Sequence, residues 1–117
     1  MVNESIKFGL KVKIMEYVDD SQPGWVRCAF KDAYGIEWFV IDKVPIVTDE
    51  YLDEKSSYPK NGIISCVIMD ESSTDKDVIK IDTSKPIFIE AEKGEHEFFV
   101  FKNQLTDYNE WTSKSSE

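Results

Sequence analysis

An all-β fold, a small antiparallel barrel, is what this sequence predicts, and three observations carry the prediction. Apolar and polar residues alternate with a period of two along the first segment. Turn chemistry recurs at roughly ten-residue intervals along the chain. No stretch has the strand–helix–strand spacing of a parallel α/β unit. At 117 residues, a single domain over 1–105 with a short tail over 106–117 suffices. A chain this long buries about two-thirds of its unfolded surface. With 41% hydrophobic and 13% aromatic residues, an apolar core alone can hold it.

The first strand is written by Ile6, Phe8, Leu10, Val12 and Ile14, with Lys7, Gly9, Lys11 and Lys13 between them. This pattern means one buried face and one wet face. Asp19-Asp20-Ser21-Gln22-Pro23-Gly24 is turn chemistry. Trp25–Lys31 follows as a strand, with Val26, Cys28 and Phe30 inward and Arg27 and Lys31 outward. The turn Asp32-Ala33-Tyr34-Gly35 pairs it with a third strand over Ile36–Ile41. Trp38, Phe39, Val40 and Ile41 are apolar in succession, which predicts cover on both faces. Pro45 ends that strand or confines it to an edge.

Residues 48–55 predict one or two helical turns, with Thr48 as N-cap and Asp49 and Glu50 against the helix dipole. Residues 56–62 read as loop. Ile63–Met69 and Val78–Asp82 read as strands around a polar connection, and Ile87–Glu92 and Glu95–Lys102 as a hairpin turning at Lys93-Gly94. Leu105, Tyr108 and Trp111 share a spacing that suits a short helix or an irregular tail. The whole predicts about six to seven strands in a barrel of SH3-like or OB-like type. A β-sandwich is the alternative.

The charge pattern narrows the function. The chain has 23 acidic residues against 14 basic, a net charge of −9. Residues 1–13 carry a local +2 and the remainder −11. Such a field disfavours nucleic acid and anionic membranes and favours cationic partners. No apolar run approaches the roughly 20 residues of a membrane span. No basic segment leading into an apolar one opens the chain, so a cytoplasmic protein is expected.

No catalytic constellation, cofactor motif or metal-ligand spacing emerges. His96, the only histidine, lies in Glu95-His96-Glu97 and reads as a solvated strand-edge residue. The five glycines are scattered singly, so no phosphate-cradling loop exists. Cys28 and Cys66 are either buried free thiols or one disulfide.

Acid gathers in two connections. Asp49, Glu50, Asp53 and Glu54 accompany Tyr51 and Tyr58, a pairing of charge with aromatic anchors that suits recognition of a protein. Asp70, Glu71, Asp75 and Asp77 form the second group. A non-enzymatic module binding a cationic protein is the leading reading. The alternatives are a single-strand nucleic-acid binder using Lys7, Lys11, Lys13, Arg27 and Lys31, or a small-ligand barrel with a carboxylate site.

The phrases Gly24-Trp25-Val26-Arg27-Cys28, Asp42-Lys43-Val44-Pro45-Ile46-Val47 and Asp82-Thr83-Ser84-Lys85-Pro86, closing with Phe99–Leu105, resemble those of small uncharacterised bacterial β-barrel proteins. In size, acidity and want of catalytic residues, the chain also resembles immunity proteins of bacterial toxin systems, including contact-dependent inhibition. That resemblance implies a cytoplasmic protein that neutralises a cognate toxin, often a basic nuclease.

Overall fold

Residues 8–70 and 77–107 are described by the computed structural model. In chain order they form β1 (Phe8–Asp19), β2 (Trp25–Lys31), β3 (Glu37–Lys43), α1 (Val44–Val47), β4 (Lys60–Asp70), β5 (Val78–Asp82) and β6 (Glu97–Phe101). A 3₁₀ turn (Lys102–Gln104) and β7 (Leu105–Asp107) follow. The strands lie in the order β3-β2-β1-β4-β5-β6, all neighbours antiparallel, with β7 added beside β1. The fold is therefore all-β, a curled and partly closed barrel with one short helical turn, as the sequence predicts.

β1 is the hub because it pairs with β2, β4 and β7. Its alternation is kept through residue 14: Leu10, Val12 and Ile14 are buried while Lys11 and Lys13 are exposed. Each such side chain contributes about 1.5–3 kcal/mol by leaving water. The strand then runs on to Asp19 through register shifts at Ile14/Glu16 and Tyr17/Asp19. Bulges of this kind raise local twist and curl the sheet. They also scramble the alternation, which is why the extension past Ile14 was illegible.

β2 has the predicted bounds, and its hairpin with β3 is in register from Trp25↔Lys43 to Lys31↔Glu37. The reading of β3 as covered on both faces is corrected. β3 is an edge strand, only its Val40 is fully buried, and Ile41 is 43% exposed. Its bulky residues are partnered locally instead. The Trp38 indole N–H donates to Asp32 Oδ2 at 2.9 Å, and the Arg27 guanidinium lies 4.1 Å over the Phe39 ring.

The helical turn is also displaced. It spans Val44–Val47 with Pro45 in its first turn, where a fixed φ suits a helix start. Thr48 is its C-cap, not an N-cap, and donates its N–H to Val44 O at 3.1 Å. Residues 48–55 are irregular. There the Thr48 hydroxyl accepts the N–H of Glu50 at 3.1 Å, a local turn that competes with helix.

β4 begins earlier than predicted, at Lys60, and takes in Gly62. A Cβ on Gly62 would lie 2.9 Å from Ile14 side-chain atoms and 3.0 Å from Val47 O, so only glycine admits that crossing.

The predicted second hairpin is not formed. Residues 87–96 are irregular, and β6 pairs with β5. Ile89 and Ala91 are nonetheless buried. Ile89 exchanges backbone and hydroxyl bonds with Thr83, and Glu92 N–H donates to Phe39 O at 2.8 Å. Those partners take the Ile89 and Glu92 groups that a hairpin ladder would have needed, and Ala91 N–H reaches across the turn to Glu95 O at 2.7 Å. The turn itself is real, with Gly94 at φ 94°. Phe98–Phe101, four apolar residues in succession, alternates: Phe98 and Val100 are buried, Phe99 and Phe101 exposed. Leu105 belongs to β7, and Tyr108 and Trp111 lie outside the described residues.

The two sheet edges are drawn together. Phe98 of β6 sits 5.1 Å from both Phe30 and Trp38, edge-on to each, and Ala33 N–H donates to Phe99 O at 2.8 Å. Cys28 and Cys66 are free and buried, and loss of solvent pushes both thiols up to about 12, with a smaller contribution from Asp42 or Asp82. The parity of β6 yields a direct check by urea unfolding. Phe98→Ala is expected to cost about 3–5 kcal/mol, and Phe99→Ala, its exposed neighbour, about 1 kcal/mol or less. Equal losses would refute the inward assignment of Phe98.

Candidate functional site

Among the described residues, a concave acidic surface lies where the β1–β2 turn meets the connection from α1 to β4. Asp19 closes β1 and Asp20 opens the turn, and Tyr51, Asp53 and Glu54 come from the connection. Tyr17, Val18, Asp19, Asp20 and Glu54 line one depression of about 340 Å³. Tyr17, Asp20, Gln22, Tyr51, Asp53, Glu54 and Lys55 line the adjoining one, about 410 Å³. Lys55 is the one cation lining either among the described residues.

The connection is held rigid from beneath. Leu52 and Val47 are buried in the core. Asp53 Oδ1 accepts the N–H of Lys55 at 2.8 Å, and Tyr58 donates its hydroxyl to Asp53 O at 2.7 Å. Tyr51, next to the buried Leu52, is 82% exposed. On the facing turn, Asp19 Oδ1 accepts Ser21 N–H at 2.8 Å, and Ser21's backbone and hydroxyl hold that carboxyl below its ordinary range. Burial, then the negative charge of Asp20, raises the Tyr17 phenol. Tyr17 thus remains a neutral hydroxyl beside the acids.

The residues expected to bind a partner divide into three groups. Tyr51 and Glu54 are presented to solvent on this surface, and Asp49 is exposed on the same connection. Glu50 is engaged, its carboxylate 3.2 Å from the Lys60 ammonium. Asp53 and Tyr58 are part-buried scaffold. In the second cluster, Glu71 and Asp75 lie outside the described residues. Asp70 closes β4, and Asp77 is exposed just before β5. Lys60 opens β4 and Asp70 ends it. An 11-residue strand has a contour of about 35 Å, so Asp77 and the 49–54 segment flank opposite ends of it. Sequence reasoning missed Asp19, Asp20 and Tyr17. The acid of Asp19 and Asp20 is legible in the sequence only as turn chemistry.

The basic face also divides. Arg27 is neutralised: its Nε is 2.7 Å from Glu92 Oε2 and its Nη1 3.7 Å from Glu16. Lys11, Lys13 and Lys31, by contrast, line one groove of about 490 Å³ with Val12, Ala29, Phe30, Asn61, Gly62, Ile63, Gln104 and Thr106. No carboxylate lines it among the described residues. Lys7 lies outside the described residues.

His96 is not the free edge residue the sequence suggests. Its Nδ1 is 3.0 Å from Asp82 Oδ1, which also accepts the N–H and hydroxyl of Ser84 at 2.8 and 2.7 Å. The ring packs beside Phe88, centroids 5.9 Å apart. With Glu97, ligand atoms of this group fall within 4.8 Å of one another, near enough to share a cation. Yet Lys80 already sits 3.4 Å from Glu97, and Oδ1 of Asp82 is saturated by donors. The arrangement clamps the two ends of the 83–96 loop.

No known protein family matches this chain, and neither a curated protein nor a solved structure is detectably similar to it. No helix among the described residues is long and apolar enough to cross a membrane.

The clamp has a pH signature. Burial alone would raise the Asp82 carboxyl, but the Ser84 donors and then the His96 ring outweigh it and hold it below the ordinary range. A depressed carboxyl stabilises the fold above its unfolded pKa, about 3.9, and that stability is lost as pH falls through the folded value. The stability gap between the wild type and Asp82→Asn, from urea unfolding, is therefore expected to be full near neutrality and to shrink below about pH 4. A gap constant from about pH 7 to about pH 3 would exclude this network.

Proposed function

We propose that this chain is a non-enzymatic protein-binding module whose acidic, tyrosine-bearing end engages a cationic protein. That is the task of an immunity-type inhibitor facing a basic toxin. The observation that carries the reading is the juxtaposition of Asp19 and Asp20 with Tyr51 and Glu54, from two connections far apart in sequence.

The physics suits such a partner. Four carboxylates (Asp19, Asp20, Asp53 and Glu54) around two shallow depressions raise the local concentration of lysine and arginine side chains and speed encounter. They occupy the place that phosphates would take on a protein evolved to grip nucleic acid. Tyr51 supplies an amphipathic anchor that loses little conformational entropy on contact. The bonds that pin Asp53 and Tyr58 leave little loop ordering to be done on binding.

The test is kinetic and uses the cationic product of a reading frame beside this one, made as a catalytically dead variant. Asp20→Lys with Glu54→Lys is expected to slow association by about tenfold at low salt, an effect that fades at high salt. Tyr51→Ala is expected to speed dissociation, raising Kd on the order of 30-fold. All three positions are exposed, so the melting temperature should hardly move. Unchanged rate constants in both variants would end the assignment.

A further inference from the structure

We infer that the Lys11–Lys13–Lys31 groove is a second binding site, and that it takes an extended acidic peptide segment of another protein, one in which carboxylates alternate with apolar side chains. Three independent features of the groove converge on that occupant.

The first is charge. The chain as a whole is at −9, yet three lysines converge here and no carboxylate lines the groove among the described residues. Two of them donate to neutral acceptors. Lys11 Nζ donates to Asn103 O at 3.1 Å, and Lys13 Nζ to Asn61 Oδ1 at 2.8 Å. Such bonds aim the ammonium groups without cancelling them. Elsewhere, Arg27, Lys60 and Lys80 each sit against a glutamate.

The second feature is the floor. Val12, Ala29, Phe30 and Ile63 make it apolar, and at about 490 Å³ it exceeds what a simple inorganic anion would fill. The occupant therefore carries apolar bulk as well as charge. Phe30 is buried beneath the surface and offers no open ring face, so the stacking platform on which single-strand nucleic-acid binders depend is missing.

The third is the backbone. β1 pairs with β7 from Phe8 to Leu10 and with β2 from Lys13 onward, so on that edge Lys11 and Val12 have no cross-strand partner. β2 has by then turned away, and the Gln104 side chain spans the gap by donating to Lys31 O at 2.9 Å while accepting Phe101 N–H at 2.8 Å. An extended chain crossing this two-residue break meets unpaired backbone, apolar floor and ammonium groups together.

Fluorescence anisotropy with a labelled octapeptide of alternating glutamate and leucine tests the inference, with an alternating lysine–leucine peptide and an eight-nucleotide oligo-dT as rivals. Saturable binding of the acidic peptide alone is expected, weakening with salt. Lys11→Glu/Lys13→Glu/Lys31→Glu should weaken it on the order of tenfold or more, and the triple glutamine variant guards against misfolding of the reversed one. All three lysines are exposed, so the melting curve should be retained. Asp20→Lys/Glu54→Lys should leave this binding intact, which separates it from the acidic-end reading. No saturable binding of the acidic peptide, equal binding by the variants, or tighter binding of oligo-dT would each overturn the proposal.

Discussion

Closure of the sheet around Phe98 is the constraint on which the rest of this structure depends. A six-strand path has two open edges, β3 and β6, and an open edge invites association. Here Phe98 lodges edge-on between Phe30 and Trp38, and main-chain bonds from Ala33 and Glu92 tie the edges to their opposite sides. Such aromatic pairs contribute about 0.5–1.5 kcal/mol each beyond their buried area. The irregular 83–96 loop completes the closure. The Asp82–His96 clamp and the Thr83 bonds fix its ends, and its buried Ile89 and Ala91 seal the core.

Curling has a consequence for charge. β1 pairs with β2 from Lys13 to Asp19 and with β7 from Phe8 to Leu10, so the two strands part company at Lys11 and Val12. Arg27 is carried toward the 83–96 loop and neutralised by Glu92. Lys31 is carried toward the 3₁₀ turn, where Gln104 holds its carbonyl. The gap left between β2 and β7 becomes the lysine groove. Acid is sorted in the same way: turns cluster at the strand ends, so Asp19 and Asp20 meet residues more than thirty positions away. Two surfaces of opposite sign thus arise from strand order and pairing.

Much of the fold was legible, and the failures share a cause. β1 up to Ile14, the β2–β3 hairpin and β5 follow from alternation and turn residues, which act over a few positions. The failures came where a side chain's partner is remote. Four successive apolar residues in β3 looked like a covered strand because the sequence does not announce that Arg27 will lie on Phe39. Thr48 looked like an N-cap because its hydroxyl can serve either end of a helix, and Pro45 settled the matter upstream. Ile87–Glu92 carries strand composition, but its backbone bonds go to Thr83 and β3.

The candidate site was legible only in half. Composition alone marked Tyr51 and Glu54 among the candidate recognition residues, and both are exposed; it grouped Lys7, Lys11, Lys13, Arg27 and Lys31 as one basic face. The sequence by itself thus determined the fold class, the inward residues of the regular strands and the amount of charge of each sign, because these rest on period and composition. Only the tertiary structure decided where the charges meet. It set Asp19 and Asp20 beside Glu54, parted Asp77 from the 49–54 segment by the length of β4, and withdrew Arg27 from the lysines. Coulombic interaction depends on distance through space, and strand order, bulges and curl set that distance without leaving a periodic trace in the chain.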